Sequence, residues 1–313
     1  MAVISRLLGL NKRSGKIKWT FKDIVKNFDA YLFIAPFIII FTVFTVAPVV
    51  ISIIMSFTYY NLLETPKFIG WQNYINLFLN DDIFLISIKN TLLLAFITGP
   101  VGYIASLLFA WFINELQPRI RAIMIVIFYA PVISGNVYMI WSIMFSGDSY
   151  GYINGMLLRF GLVKVPIQWL SNPEYMLSVI IIVVLWMSLG AGFLAFVAGF
   201  QTIDKTLYEA GYVEGVKNRW QELWFITLPA MKPQLLFGAV MSITASFSVS
   251  DITIALAGFP STDYAAHTVV NHLIDYGNIR FEMGYACSIA TILFVLMMGV
   301  NKFVQSLIKK VGA

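Results

Sequence analysis

Charge is scarce in this chain of 313 residues: Asp, Glu, Lys and Arg make up 12%, where soluble domains carry about a quarter. A soluble surface is therefore not what the composition supplies. There is one cysteine, Cys287, which excludes an intrachain disulfide; its apolar neighbours predict a buried structural thiol. The two histidines, His267 and His272, lie five apart. Zinc sites need three or four ligands at compatible spacing, so no metal is expected, and both are read as surface residues of one loop. No phosphate-binding P-loop is present. The nearest approach, Gly9 to Lys16, has five residues between its glycines instead of four, and Ile17 follows the lysine. Catalytic clusters of nucleophiles, acids or metal ligands are missing from the apolar segments, which argues against a membrane enzyme. The first apolar block is too long for a cleavable signal, and no small-residue cleavage site follows it.

What is abundant is apolar sequence, at 59% of residues and a mean hydropathy of +0.80. It falls into six blocks, roughly 31–57, 91–113, 122–145, 176–200, 235–259 and 283–307. Each is long enough to cross a bilayer, which takes about 20 helical residues. Backbone amides inside a bilayer must be paired internally, so the blocks are expected to be helices. Pro36, Pro48, Pro100 and Pro131 fall within them and are tolerable where neighbouring helices satisfy the freed carbonyls. Of the 21 lysines and arginines, 16 lie before the first block, in the second and fourth connections and at the C-terminal end from Lys302 on, and 5 lie in the other three connections. Basic residues collect in the cytoplasm. The expected architecture is thus all-α with six transmembrane helices, in the cell membrane, with both termini cytoplasmic. The net charge of +5 belongs to those cytoplasmic segments and not to a nucleic-acid partner.

The domain reading follows. Residues 1–30 are a cytoplasmic segment whose stretch from Lys16 to Ala30 alternates basic residues with Ile17, Trp19, Phe21, Ile24, Val25 and Phe28, the pattern of an amphipathic helix lying on the inner leaflet. Residues 31–307 are the transmembrane domain, and 308–313 a short cytoplasmic tail. The longest cytoplasmic connection, 201–233, has helical stretches on either side of Gly215 and then Pro229 and Pro233 at the return to the membrane, where proline can open a helix.

That connection resembles the EAA loop of ABC importer permeases, a pattern close to E-A-A-x-x-D-G-A, nine residues, then I-x-L-P. Here it reads Glu209, Ala210, Gly211, Glu214, Gly215 and Val216, followed at the family spacing by Ile226, Leu228 and Pro229. Gly211 and Val216 stand where alanine is usual, and Glu214 where aspartate is usual. The resemblance implies a type I ABC importer permease fold in which this loop is a coupling helix seated on an ATPase subunit. It implies a second homologous permease, two ATP-binding subunits that hold the ATP and magnesium, and an extracellular solute-binding protein. No cofactor is expected in this chain.

Further segments resemble the carbohydrate branch, in particular the larger permease of maltose-type importers. They are Phe68-Ile69-Gly70-Trp71-Gln72-Asn73-Tyr74 with Leu77-Phe78, then Asn154, Leu157-Leu158, Gly161-Leu162 and Trp169-Leu170, and Gly284-Tyr285-Ala286. The large periplasmic insert of the maltose-type protein has no counterpart here. By the same resemblance, the Leu-Gly pair before the EAA loop brings Trp186, Leu189, Gly190 and Phe193 to a mid-membrane sugar site. The Ala245-Ser246-Phe247 stretch after it brings Ser246, Val249 and Ser250. Ser242, Ser246, Ser250 and Thr253 also fit one stripe of a continuous helix. Small residues equally let membrane helices pack closely, and both readings stand. Asp251 is the one charged residue well inside a block. An intramembrane carboxylate is functional by default: it could face the cavity, pair with the partner permease or cap a helix break.

The expected activity is import of a sugar or oligosaccharide by alternating access, in a subunit that catalyses nothing itself. An ABC importer for another solute is one alternative. An ion-coupled secondary transporter is another, though Asp251 alone makes a poor ion relay.

Overall fold

A computed structural model describes residues 28–308; the amphipathic stretch before Phe28 and the tail after Ile308 lie outside the described residues. Two compact units divide at Ile51 and Ser52. In the first, α1 (Phe28–Phe41) passes through a π-helical turn, Thr42–Val46, into α2 (Ala47–Met55), which runs into the second unit. Together they give an apolar span, Tyr31–Met55, of 25 residues.

The second unit is helical apart from a two-residue antiparallel ribbon, β1 (Thr58–Tyr59) on β2 (Lys67–Phe68), with Thr58 opposite Phe68. After α3 (Gln72–Leu79), α4 (Asp82–Asn114) is a single helix of 33 residues with Pro100 inside it. It packs on α9 (Ala191–Thr202) and α13 (Lys232–Phe247), which also pack on each other, and α16 (Met283–Ile308) joins through α13. Phe193, Phe196, Met231 and Leu235 fill the core toward the 201–233 connection; Leu77, Phe84, Val269 and Ile289 fill it toward the opposite end. Cys287, expected to be buried, is half-buried.

Three of the six expected helices are broken. The third is α5 (Pro118–Ile133), then a 3-10 turn at Asn136–Met139 and α6 (Ile140–Met144), bent by 78°. The hinge is Ser134-Gly135, with Gly135 at φ 62°, a conformation glycine adopts without the Cβ penalty. Beyond α7 (Tyr152–Arg159), the fourth divides into α8 (Pro173–Trp186) and α9 around Met187–Gly190. The fifth divides into α13 and α14 (Asp251–Ala257) around Ser248–Ser250. The serine stripe is corrected accordingly: the helix stops at Phe247, so Ser250 and Thr253 do not continue the face of Ser242 and Ser246.

Candidate functional site

The three breaks meet. Gly135, Ser188, Gly190, Ser248 and Ser250 all stand in the wall of a cavity of about 570 Å³. Non-helical backbone at membrane depth is tolerated only where protein buries it or where it lines a wet cavity. Gly190 and Ser250 precede α9 and α14 with no side chain capping the helix start, so backbone N–H groups there are free to meet a ligand. Tyr129, Tyr138, Asn136 and Phe196 add rings and an amide. Asp251 lies in the wall and opens α14, where a helix start favours negative charge. Of the three roles open to it, the structure places it in the cavity wall; it stands at the break, but no side chain caps the start of α14.

Gly190, Ser246, Val249 and Ser250 are therefore brought together, whereas Trp186, Leu189 and Phe193 are not in this wall. Phe193 is wholly buried, and Leu189 packs in the same core cluster as Phe193 and Phe196. Trp186 is half-exposed, with its ring edge-on to Trp141 at 5.4 Å. The serine hydroxyls are mostly engaged as packing contacts. Ser242 donates to the Gly99 carbonyl at 2.9 Å, Ser246 to Ile243 at 3.0 Å, and Ser250 to the Asn271 side chain at 2.7 Å.

A cap of chain between α14 and α16 is tied to the break at Ser248–Ser250. Within it, α15 (Val269–Ile274) places Asn271 to accept from Ser250 and donate to Thr253 at 2.8 Å. Thr268 donates to the Val249 carbonyl at 2.9 Å, and Asn90 of α4 donates to the Tyr264 and His267 carbonyls. The two histidines, expected at the surface, are buried at 2% and 1% exposure: His272 ties this cap to the bundle, whereas His267 sits among rings with neither ring nitrogen hydrogen-bonded. Asp81, just before α4, accepts from His272 Nε2 at 3.0 Å, from Tyr285 at 2.9 Å and from the Phe84 N–H at 2.9 Å. Burial raises the Asp81 pKa, but those bonds outweigh it and hold the carboxyl at about 2. An ionised carboxylate only accepts, so His272 Nε2 carries the proton. Among the described residues, no three His, Cys, Asp or Glu side chains converge as metal ligands do.

The 201–233 connection is a rigid turn. Asp204 caps α10 (Lys205–Val213) by accepting from the Thr206 N–H at 3.0 Å. At the other end the Gly215 N–H bonds the Tyr212 carbonyl and the Val216 N–H the Gly211 carbonyl, at 3.2 and 2.9 Å. This is a Schellman cap, whose first residue past the helix takes positive φ; Gly215 is at 98°. The surroundings of Gly215 are open, whereas a side chain on Gly211 would run into Ile226. Glu209, Ala210, Glu214 and Gly215 are exposed, Val216 is half-buried and Gly211 buried. Val213 at the tip is 89% exposed. Behind the turn come α11 (Arg219–Glu222) and, just before α13, the short α12 (Leu228–Ala230). Burial raises the Glu222 pKa, but hydrogen bonds from Tyr212 and Arg219 outweigh it and keep the carboxyl below its ordinary value.

A model of binding-protein-dependent transport system inner membrane components matches residues 99–311. The chain belongs to this family. It is 32% identical to a probable ABC transporter permease, YesP, of Bacillus subtilis, over 87% of both chains. It is 28% identical to the lactose transport system permease LacF of Rhizobium radiobacter, over 88% of this chain and 92% of that one. The structure matches a chain of a bacterial ABC transporter involved in import of the acidic polysaccharide alginate, with TM-score 0.73 and 25% identity over 94% of this chain and 99% of that one. The permease thus has the type I importer fold, and its family consists of transport subunits and not catalysts.

Proposed function

We propose that this permease moves a sugar or oligosaccharide through the cavity where its three broken helices meet. The carrying observation is the cavity's chemistry: backbone groups freed at the breaks, aromatic rings and an amide, which suit a sugar. The relatives for lactose and for the acidic polysaccharide alginate support carbohydrate as the substrate class. Membrane helices need a reason to break, and a ligand that takes hydrogen bonds from backbone groups provides one. The proposal extends to the assembly: a second permease, two ATPase subunits and an extracellular binding protein, with the 201–233 loop and both termini in the cytoplasm as the lysine and arginine distribution indicates. The exposed face of α10, with Glu209 and Val213, docks on the ATPase.

Reconstitution in vesicles with its ATPase, second permease and binding protein tests the reading. Uptake of labelled lactose and maltose, against histidine and phosphate as non-sugars, should be ATP-dependent and confined to the sugars; uptake of the non-sugars alone refutes the substrate class. Gly215→Val forces a β-branched residue into positive φ at a cost of about 1–3 kcal/mol and should release the ATPase on purification. Full retention of the ATPase with coupled uptake shows that docking lies elsewhere.

A further inference from the structure

The 201–233 loop is joined by its side chains to a helix that is not its sequence neighbour. Helix α4 ends at Asn114, and Glu115 closes it. Arg219 forks between two carboxylates, one guanidinium nitrogen 3.1 Å from Glu115 and the other 2.8 Å from Glu222. Glu222 is buried, and Tyr212 of the docking helix α10 donates to its other oxygen. An unbroken polar chain therefore leads from α10 through Glu222 and Arg219 to the end of α4. A second, apolar link runs alongside: Trp220 meets Trp111 of α4 edge-on at 4.9 Å, and Trp111 packs on the main core cluster. The turn after α4 is itself braced by Arg121, which donates to the Asn114 and Leu116 carbonyls at 2.7 and 3.1 Å.

We infer that Arg219 is a positioning residue that transmits movement of the docking helix to α4, and is not part of the docking face. The inference rests on the proposed seating of α10 on an ATPase. Its physical basis is the contrast between two kinds of attachment. The Tyr208 hydroxyl meets Thr227 at 3.0 Å, and buried Gly211 sits under Ile226; these hold α10 against the chain's own return toward α13. Arg219 extends the hold to a different span. An exposed ion pair by itself contributes little. Here one carboxylate is buried, so losing the guanidinium leaves that charge without its cation. The fork also needs the planar, two-pronged geometry that lysine lacks.

The test uses the whole complex in nanodiscs, with Ser248→Cys as a reporter on the cavity wall and the native thiol removed by Cys287→Ala. Maleimide labelling of the reporter is followed with and without ATP, magnesium and vanadate. In Arg219→Gln and in Glu115→Gln, which leaves Glu222 paired, the ATPase should co-purify as in the parent. The nucleotide-dependent change in labelling should shrink by at least about threefold, and Arg219→Lys should restore part of it. A change that stays at the parent's size in both variants overturns the inference. Loss of the ATPase from Arg219→Gln alone also overturns it, since the residue would then belong to the docking face. Absence of the ATPase from the parent complex would instead refute the seating of α10.

Discussion

His267 is the clearest place to test the cap quantitatively. Its ring is 2% exposed and is enclosed by Phe259, Tyr264 and His272 at centroid distances of 5.8, 5.3 and 5.6 Å. Burial first, and then the neighbouring His272, hold its pKa at about 4, against an ordinary 6.5. A histidine with a depressed folded-state pKa takes up its proton more readily when unfolded. Its contribution is thus complete above pH 6.5 and is lost as pH falls toward 4. At about 1.4 kcal/mol per pH unit, the full gap is worth at most about 3 kcal/mol. Integrating from pH 7.5 to pH 5 gives a loss of about 2 kcal/mol. His267→Phe keeps a ring among rings and removes the titration. Thermal unfolding of the purified protein at pH 7.5 and pH 5 should show the parent losing several degrees more than the variant. Asp81 does not confound the comparison, because its contribution is lost only from about pH 4 down to about 2. Equal losses in parent and variant would refute the account of the buried ring.

Wall and core positions should separate cleanly in the cavity. Gly190 has negative φ and open space where a Cβ would go, so Gly190→Leu should leave the fold intact and abolish uptake of labelled sugar by filling the cavity. Phe193→Ala should cost about 3–5 kcal/mol in unfolding stability, and sugar preference among surviving molecules should be unchanged. Asn271→Leu removes two side-chain bonds to the break, one to Ser250 and one to Thr253. It should lower stability by about 2–4 kcal/mol and raise maleimide labelling at Ser248→Cys without nucleotide; unchanged labelling would separate the cap from the cavity.

Much of this is legible in the sequence. Long apolar blocks cannot be anything but helices in a bilayer, and the loop from Glu209 to Pro229 is recognisable by its resemblance to the EAA pattern. Asp204, Gly215 and Pro233 occupy the helix cap, the turn and the helix start that their chemistry favours. The breaks were harder, because mean hydropathy does not register three polar or small residues inside an apolar block. A signal was nonetheless there: Ser134-Gly135-Asn136, Ser188-Leu189-Gly190 and Ser248-Val249-Ser250 are the small, polar interruptions that punctuate helices. Reading them as breaks would have named Asn136, Ser188 and Ser248 as wall residues. Trp186, Leu189 and Phe193 came instead from carrying positions across a resemblance, which keeps register but does not say which face of a restarted helix looks inward. The histidines illustrate a different gap. Asp81 lies 191 residues before His272, and no local pattern connects a carboxylate at one helix start with a ring that far along the chain.

Helix α4 is held at both of its ends by side chains from other elements, by Arg219 at one and by His272 and Tyr285, through Asp81, at the other. At about 1.5 Å per residue it measures about 50 Å. A rod of that length converts angle into distance: a tilt of about 5° at one end displaces the other by about 4 Å, more than the length of a hydrogen bond. The bonds that Asp81 and Thr91 accept from the cap and Asn90 donates to it sit toward the far end of that arm. A tilt of about 5° at the Asn114 end is therefore large enough, after leverage, to exceed the reach of those bonds.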